Sequence, residues 1–200
     1  MARAGIHRPQ LRRTISRQAE LKVKKRIVAK IQKDVARAKT LMLAEFESHP
    51  VTKEIRGGPD AHNISGTLGG IGNLFSFIGF HDSDRPIAPV ASILESSTRL
   101  NSVKKVGNDG LAFIVTIDLP SKEEITQASP IPWATARSWV IGIEQGLSGF
   151  GQFLVKPGKG RSTGGLQVEG VIRSGGFKNR KYISAILQHL NSNLIKFLKS

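Results

Sequence analysis

The chain has 200 residues, with 30 Lys or Arg against 15 Asp or Glu, a formal net charge of +15 and 39% hydrophobic residues. That length suits one domain with an extension, and the apolar content exceeds that of a disordered chain. The absence of cysteine excludes disulfides, thiolate metal sites and a cysteine nucleophile. No apolar run nears the roughly 20 residues of a bilayer span, and no secretory leader is visible, so a soluble protein is expected.

The charge is unevenly placed. Residues 1–40 hold 13 Lys or Arg against Glu20 and Asp34, a net +11, while the other 160 residues hold 17 against 13, a net +4. Such a run attracts polyanions or an acidic protein surface, or is simply a solvated helix face. Met1 to about Arg13 contains Pro9 and lacks helical periodicity, which predicts a flexible arm. From about Ser16, Val23, Ile27, Ile31, Val35, Ala38, Met42 and Phe46 recur at spacings of three and four, the stripe of one amphipathic helix. Proline at 50 disfavours the α region for His49 and should end it. The organisation expected is a basic arm and helix start over 1–22, then a single domain over 23–200. A helix of about 30 residues is some 45 Å long, so its basic first half should project or pack on another subunit.

Pro50 to Ile55 predicts a short helical turn closed by Gly57-Gly58-Pro59. The stretch from Asn63 to Phe80 begins rich in Gly, Asn and Ser and ends in a dense apolar run around Phe75 and Phe77. Two readings are open: a turn feeding a core strand, or a loop whose backbone lies against a neighbouring subunit or a phosphate. Gly69, Gly70 and Gly72 lack the spacing and the Lys-Ser/Thr ending of phosphate-cradling loops, which argues against a nucleotide. His81 to Pro86 predicts a polar turn without enough ligands for a metal. Pro89 should open a short helix with Val90, Ile93 and Leu94 on its apolar face.

Leu111 to Leu119 is the clearest strand, with Phe113, Val115, Ile117 and Leu119 on one face and Val103–Val106 as its hairpin partner. Ser121 to Glu124 predicts a loop or helical turn. Ala134 to Glu144 predicts a helix followed by a strand ending at Glu144-Gln145-Gly146. The glycine-rich segment 150–165, with Lys156, Lys159 and Arg161, predicts a long hairpin tip or mobile loop, its return strand formed by Leu166, Val168 and Val171. A last helix from about Asn179 to Lys199 carries Tyr182, Ile183, Ile186, Leu187, Leu190, Leu194 and Leu198 as its stripe. The fold class expected is α+β, a small twisted antiparallel sheet bracketed by a long N-terminal helix and a C-terminal helix.

No catalytic constellation emerges. The five histidines are scattered, the pairs Glu45/Glu47 and Glu123/Glu124 suit a solvated surface, and no Gly-x-Ser-x-Gly elbow is present. Aromatics are missing among the N-terminal cations, so nucleic-acid binding there should be electrostatic and indifferent to sequence.

The order of a long helix, Ser65-Gly66-Thr67-Leu68, a sheet, Glu144-Gln145-Gly146, a glycine-rich loop and a closing helix resembles the neck and tail-completion proteins of tailed bacteriophages. That family carries a Thr-Gly-x-Leu turn after the first helix and a Glu-x-Gly after a central strand. The runs His49 to Ile55, Gly66 to Gly70 and Asn73 to Phe80 are similar to neck proteins of contractile-tailed phages. Gly69 stands where the family usually has an Arg, and the basic N-terminus lies outside the shared region.

The resemblance implies a non-enzymatic structural virion protein without a cofactor. Copies of the chain would form a hexameric or dodecameric ring in the neck, joining the portal or connector protein to the tail terminator or tail tube protein and surrounding the DNA channel. The residues expected to meet a partner or DNA are Arg8, Arg12, Arg13, Arg17, Lys22, Lys24, Lys25 and Arg26, which would dock on an acidic portal or connector surface or face DNA. Lys156, Lys159 and Arg161 would reach an adjacent subunit or the tail terminator. Ser65, Gly66, Thr67, Leu68, Phe75 and Phe77 are the expected subunit-packing turn and strand. The alternative is a sequence-nonspecific nucleic-acid-binding protein acting through the same basic helix.

Overall fold

The computed structural model describes residues 8–68, 72–106, 112–145, 153–155, 165–167 and 178–199, with the backbone alone for 8–16, 135–136, 153–155 and 165–167. The apolar stripe at three- and four-residue spacing winds into α1, Arg8–Ser48, whose Ile31, Val35, Ala38, Met42 and Phe46 are buried. Its 41 residues make a rod of about 60 Å at 1.5 Å per residue. The flexible arm expected up to Arg13 is corrected from Arg8 onward. Pro9 falls in the first helical turn, where its missing N–H breaks no intrahelical bond. Residues 1–7 lie outside the described part.

α1 ends where the proline requires it to. His49 is extended (φ −63°, ψ 135°), and its Nδ1 accepts from Val51 N at 3.3 Å, opening α2, Pro50–Arg56. Gly58–Asp60 adds one 3-10 turn.

The expected strand at Phe75 and Phe77 is instead a short helix, α3, Leu74–Ile78. Asn73 caps it by accepting from Ser76 N at 2.9 Å, and Gly79 closes it in the left-handed region at φ 86°. These two punctuating residues outweigh the strand character of the run between them. A Cβ on Gly79 would lie 3.3 Å from the Trp133 ring, whose Nε1 donates to Ile78 O at 2.9 Å.

α4, Ile87–Ser97, starts two residues before Pro89 and buries Ile87, Val90 and Leu94. β1, Arg99–Val106, pairs antiparallel with β2, Ala112–Asp118, with a register shift between Leu100 and Ser102. Phe113, Val115 and Ile117 are half-buried on one face of this hairpin, while Leu119 lies beyond it and is exposed. Lys105 pairs with Glu20 at 3.0 Å, tying the hairpin to the first half of α1.

α5, Lys122–Ala128, carries a capping box between Ser121 and Glu124. The order expected over 134–144 is reversed. β4, Ala134–Ser138, comes first and pairs with β3, Pro130–Ile131, and α6, Trp139–Gln145, follows. Trp139, Val140 and Ile143 are buried there, a spacing of one and four that suits a helix better than alternation. β5, Phe153–Val155, pairs antiparallel with β6, Gly165–Gln167. Leu166 is thus in the return strand, while Val168, Val171 and the intervening loop lie outside the described residues.

α7 spans Ile183–Lys199, four residues later than its apolar stripe suggested. It runs antiparallel along α1: Glu45 meets His189 at 2.7 Å, Lys30 Nζ donates to Phe197 O at 3.2 Å, and Arg37 lies over the Phe197 ring. Phe197 takes the buried place expected for Leu198, which is exposed. The fold is therefore α+β, with antiparallel ribbons between two bracketing helices.

The two halves of α1 should respond unequally to truncation. Phe46, wholly buried and stacked on Tyr182, should cost about 3–5 kcal/mol as Phe46→Ala. Leu21, 52% exposed, should cost no more than about 0.5 kcal/mol as Leu21→Ala. Urea denaturation of the two variants measures the contrast.

Candidate functional site

Ser65, Gly66 and Thr67 form a tight turn whose polar groups bind one another. Asn63 Oδ1 accepts from Gly66 N at 3.0 Å, and Ser65 Oγ lies 2.8 Å from Thr67 Oγ1. Ser65 and Thr67 are buried and Leu68 is half-buried. Beneath the turn sits Glu54, fully buried on α2. Its Oε2 accepts from Ser65 N and its Oε1 from Leu74 N, each at 2.7 Å. One carboxylate thus pins both ends of the glycine-rich stretch. Asn73 Nδ2 adds a bond to Pro59 O at 2.5 Å.

The turn also faces the segment leading into α7. Thr67 O accepts from Lys178 N at 2.8 Å. Gly66 is left-handed (φ 65°), and a Cβ there would lie 3.2 Å from the Arg180 guanidinium, so this position is strained for any other residue.

From the other side, Ile143 O accepts from Arg180 N at 3.1 Å, and Glu144 Oε1 accepts from Tyr182 N and Ser184 N at 3.1 and 2.7 Å. A carboxylate at the start of α7 satisfies otherwise free N–H groups and suits the positive end of the helix dipole. Two separate fragments, Gly66–Thr67 and Ile143–Glu144, therefore converge on residues 178–184; Gly146 lies outside the described part.

Tyr182 completes the junction. Its hydroxyl and Thr52 Oγ1 are 2.6 Å apart, and its ring lies against Phe46, His49 and Trp139. Burial pushes the tyrosine hydroxyl pKa far above its ordinary value, with the Thr52 bond opposing. Burial pushes the His49 imidazole below its ordinary 6.5, Glu45 pulling it partly back and Arg180 reinforcing the drop. On the surface nearby, the hydrogen bond from Arg56 holds the Glu47 carboxyl below its usual range.

Of the residues expected to form a subunit-packing turn and strand, Ser65, Thr67 and Phe75 are buried within the chain itself, Gly66, Leu68 and Phe77 are half-buried, and the two phenylalanines lie on α3 rather than on a strand. The cations fall elsewhere. Arg17, Lys22, Lys24, Lys25 and Arg26 are exposed on the first half of α1 and make no ion pair among the described residues. Arg8, Arg12 and Arg13 are helical in backbone, and their side chains lie outside the described part, as do Lys156, Lys159 and Arg161. Glu54, Thr52 and Tyr182 were missed as members of the junction. Glu54 in a short apolar helix was the available signal, since a carboxylate flanked by buried positions needs partners.

Chemically, both Glu54 oxygens are committed to main-chain N–H groups, and one Glu144 oxygen binds two more. The cleft beside Glu144, about 270 Å³, has Ile125, Val140, Ile141, Ile183 and Leu187 in its wall, with Lys122, Thr126, Gln145 and Ser184 as its other polar members. Among the described residues, no group of three His, Asp or Glu is placed to hold a metal ion. Asp84 instead closes its own turn by accepting from His81 N at 2.8 Å. No helix among the described residues is long and apolar enough to cross a membrane. Comparison of the chain with protein families, with curated proteins and with solved structures found no match.

Glu54→Ala leaves two buried N–H groups without an acceptor, each costing about 1–3 kcal/mol, so a loss of about 2–6 kcal/mol is expected on urea denaturation. Glu54→Gln keeps one acceptor and should lose roughly half as much. For His49, the unfolded chain takes up a proton near pH 6.5 while the folded chain resists it. Its contribution is therefore full above 6.5, declines as the pH falls through that value and levels off below the folded pKa. His49→Asn, which keeps a capping side chain, should flatten that part of the profile in thermal melts taken between neutral and mildly acidic pH.

Proposed function

We propose that the chain is a structural subunit of a tailed-phage virion, assembling as a ring in the neck that joins the portal or connector to the tail around the DNA channel. The observation that carries this reading is the mismatch between α1 and the body it serves. The helix has 41 residues, yet between Arg17 and Lys30 none is buried, and the core begins at Ile31. Val23, Ile27 and Val28 are only half-buried and Glu20 pairs with Lys105 of the hairpin, so most of this half faces outward, and against a neighbouring subunit it becomes a contact arm. The order of elements and the roles of Ser65–Leu68 and Glu144 support the same reading. Both fragments fasten the turn and α7 to the body, as suits residues of a structural scaffold.

In this reading the partners are further copies of the chain in a hexameric or dodecameric ring, the portal or connector on one side, and the tail terminator or tail tube protein on the other. The protein acts by holding a channel open and aligned, without chemistry of its own. Light scattering after size exclusion, on nuclease-treated protein at moderate and high salt, should reveal a hexameric or dodecameric species. A monomer that gains mass only on adding DNA would replace this reading with that of a nonspecific DNA-binding protein.

A further inference from the structure

We propose that the outward face of α1, together with the last turn of α7, binds the phosphate backbone of double-stranded DNA. This rests on the reading of the chain as a subunit around a DNA channel and names the element that meets the DNA.

Opposite the buried stripe of α1, the positions 22, 26, 29, 33, 36 and 40 follow one another at spacings of three and four and are all exposed, so they form one face. Lys22, Arg26 and Lys33 occupy that row and make no ion pair among the described residues. The bond from Lys30 to Phe197 O brings the end of α7 alongside, and its last turn adds exposed Lys196 and Lys199. The nearby acid, Asp34, is already tied to Lys30 at 3.1 Å. Among the described residues, nothing pairs with the cations of this face.

Two features favour a nucleic acid over an acidic protein surface. The rest of the row is Ala29, Ala36 and Thr40, so it offers no large apolar or aromatic anchor of the kind that protein interfaces centre on. Phosphates need no such anchor, and small residues between the cations let the helix lie close to a charged rod. Lys22 and Lys33 are about 17 Å apart along a straight helix, a length over which a duplex carries about ten phosphate charges. Binding of this kind releases counterions and reads no sequence.

The test titrates the full-length chain against a short labelled duplex of arbitrary sequence, by fluorescence anisotropy over a range of KCl. The triple variant Lys22→Gln, Arg26→Gln, Lys33→Gln should lower the slope of log K against log salt by about 2.7, and Lys196→Gln with Lys199→Gln by about 1.8. Lys53→Gln, exposed on α2, should leave the slope unchanged. Circular dichroism melts confirm that each variant is folded. An unaltered slope in the triple variant would overturn the proposal, as would an equal loss per charge from Lys53→Gln, or displacement of the duplex by poly-glutamate as readily as by unlabelled DNA. Light scattering on the same samples reads assembly separately. Duplex binding through this row by a chain that never forms a ring keeps the DNA surface and sinks the neck reading.

Discussion

A carboxylate with no exposure to water is expensive. Desolvating an ion of that size costs several kcal/mol even after the protein relaxes, and Glu54 is buried outright. What offsets the cost is the pair of 2.7 Å bonds from Ser65 N and Leu74 N, since charge-assisted bonds of this kind contribute about 1.5–3 kcal/mol each. The arrangement works only if α2 holds Glu54 beneath the turn while Asn73 starts α3 at the far end of the loop. Once it does, the carbonyl of Thr67 is set to receive Lys178 N, and the approach to α7 is fixed. Tyr182 then reaches Thr52 on α2, closing a circuit through α2, the glycine-rich turn and the start of α7.

The division between body and arm follows from this circuit. Polar fasteners hold the body: Glu54 at the turn, Glu144 at the start of α7, and the reciprocal bonds of Ser121 and Glu124 at α5. Each uses a side-chain oxygen to satisfy main-chain N–H groups that would otherwise be orphaned. Among the described side chains, the first half of α1 has no such fastener beyond the Glu20–Lys105 pair, and Arg17, Lys22, Lys24, Lys25 and Arg26 are exposed. A helix that lies on the hairpin by one face presents the charge of the other to the surroundings.

How much of this was legible depends on how local each signal is. The stripes of α1 and α7 and the β1–β2 hairpin are periodic over many residues, and their existence and type were plain. The end of α1 at His49-Pro50 was equally plain, because the constraint is steric and local. Leu74–Ile78 deceived because its residues favour strands, while the decision lay with Asn73 and Gly79 on either side. Pro9 suggested an irregular arm, although proline is welcome in a first turn. Residues 134–144 reversed because β4 is a short ribbon strand whose partner is only Pro130–Ile131, with no alternation to reveal it. Glu144 was noticed as part of a short motif, but its capping of a helix 38 residues later is a tertiary fact. Glu54 was still less visible, because a lone glutamate in a short helix resembles any solvated acid until its neighbours are known to be buried.

The seam between α1 and α7 joins residues far apart in the chain: Glu45 meets His189 across 144 positions, and Lys30 meets Phe197 across 167. Contacts of such separation are slow to close, because a long loop must be ordered before they give anything back. During synthesis α1 emerges well before α7, with Ile31, Val35, Met42 and Phe46 ready but that covering helix not yet made. The nascent chain therefore carries an incompletely covered apolar stripe until α7 is made, and the strong positive charge of the same helix keeps neighbouring chains apart in the interval.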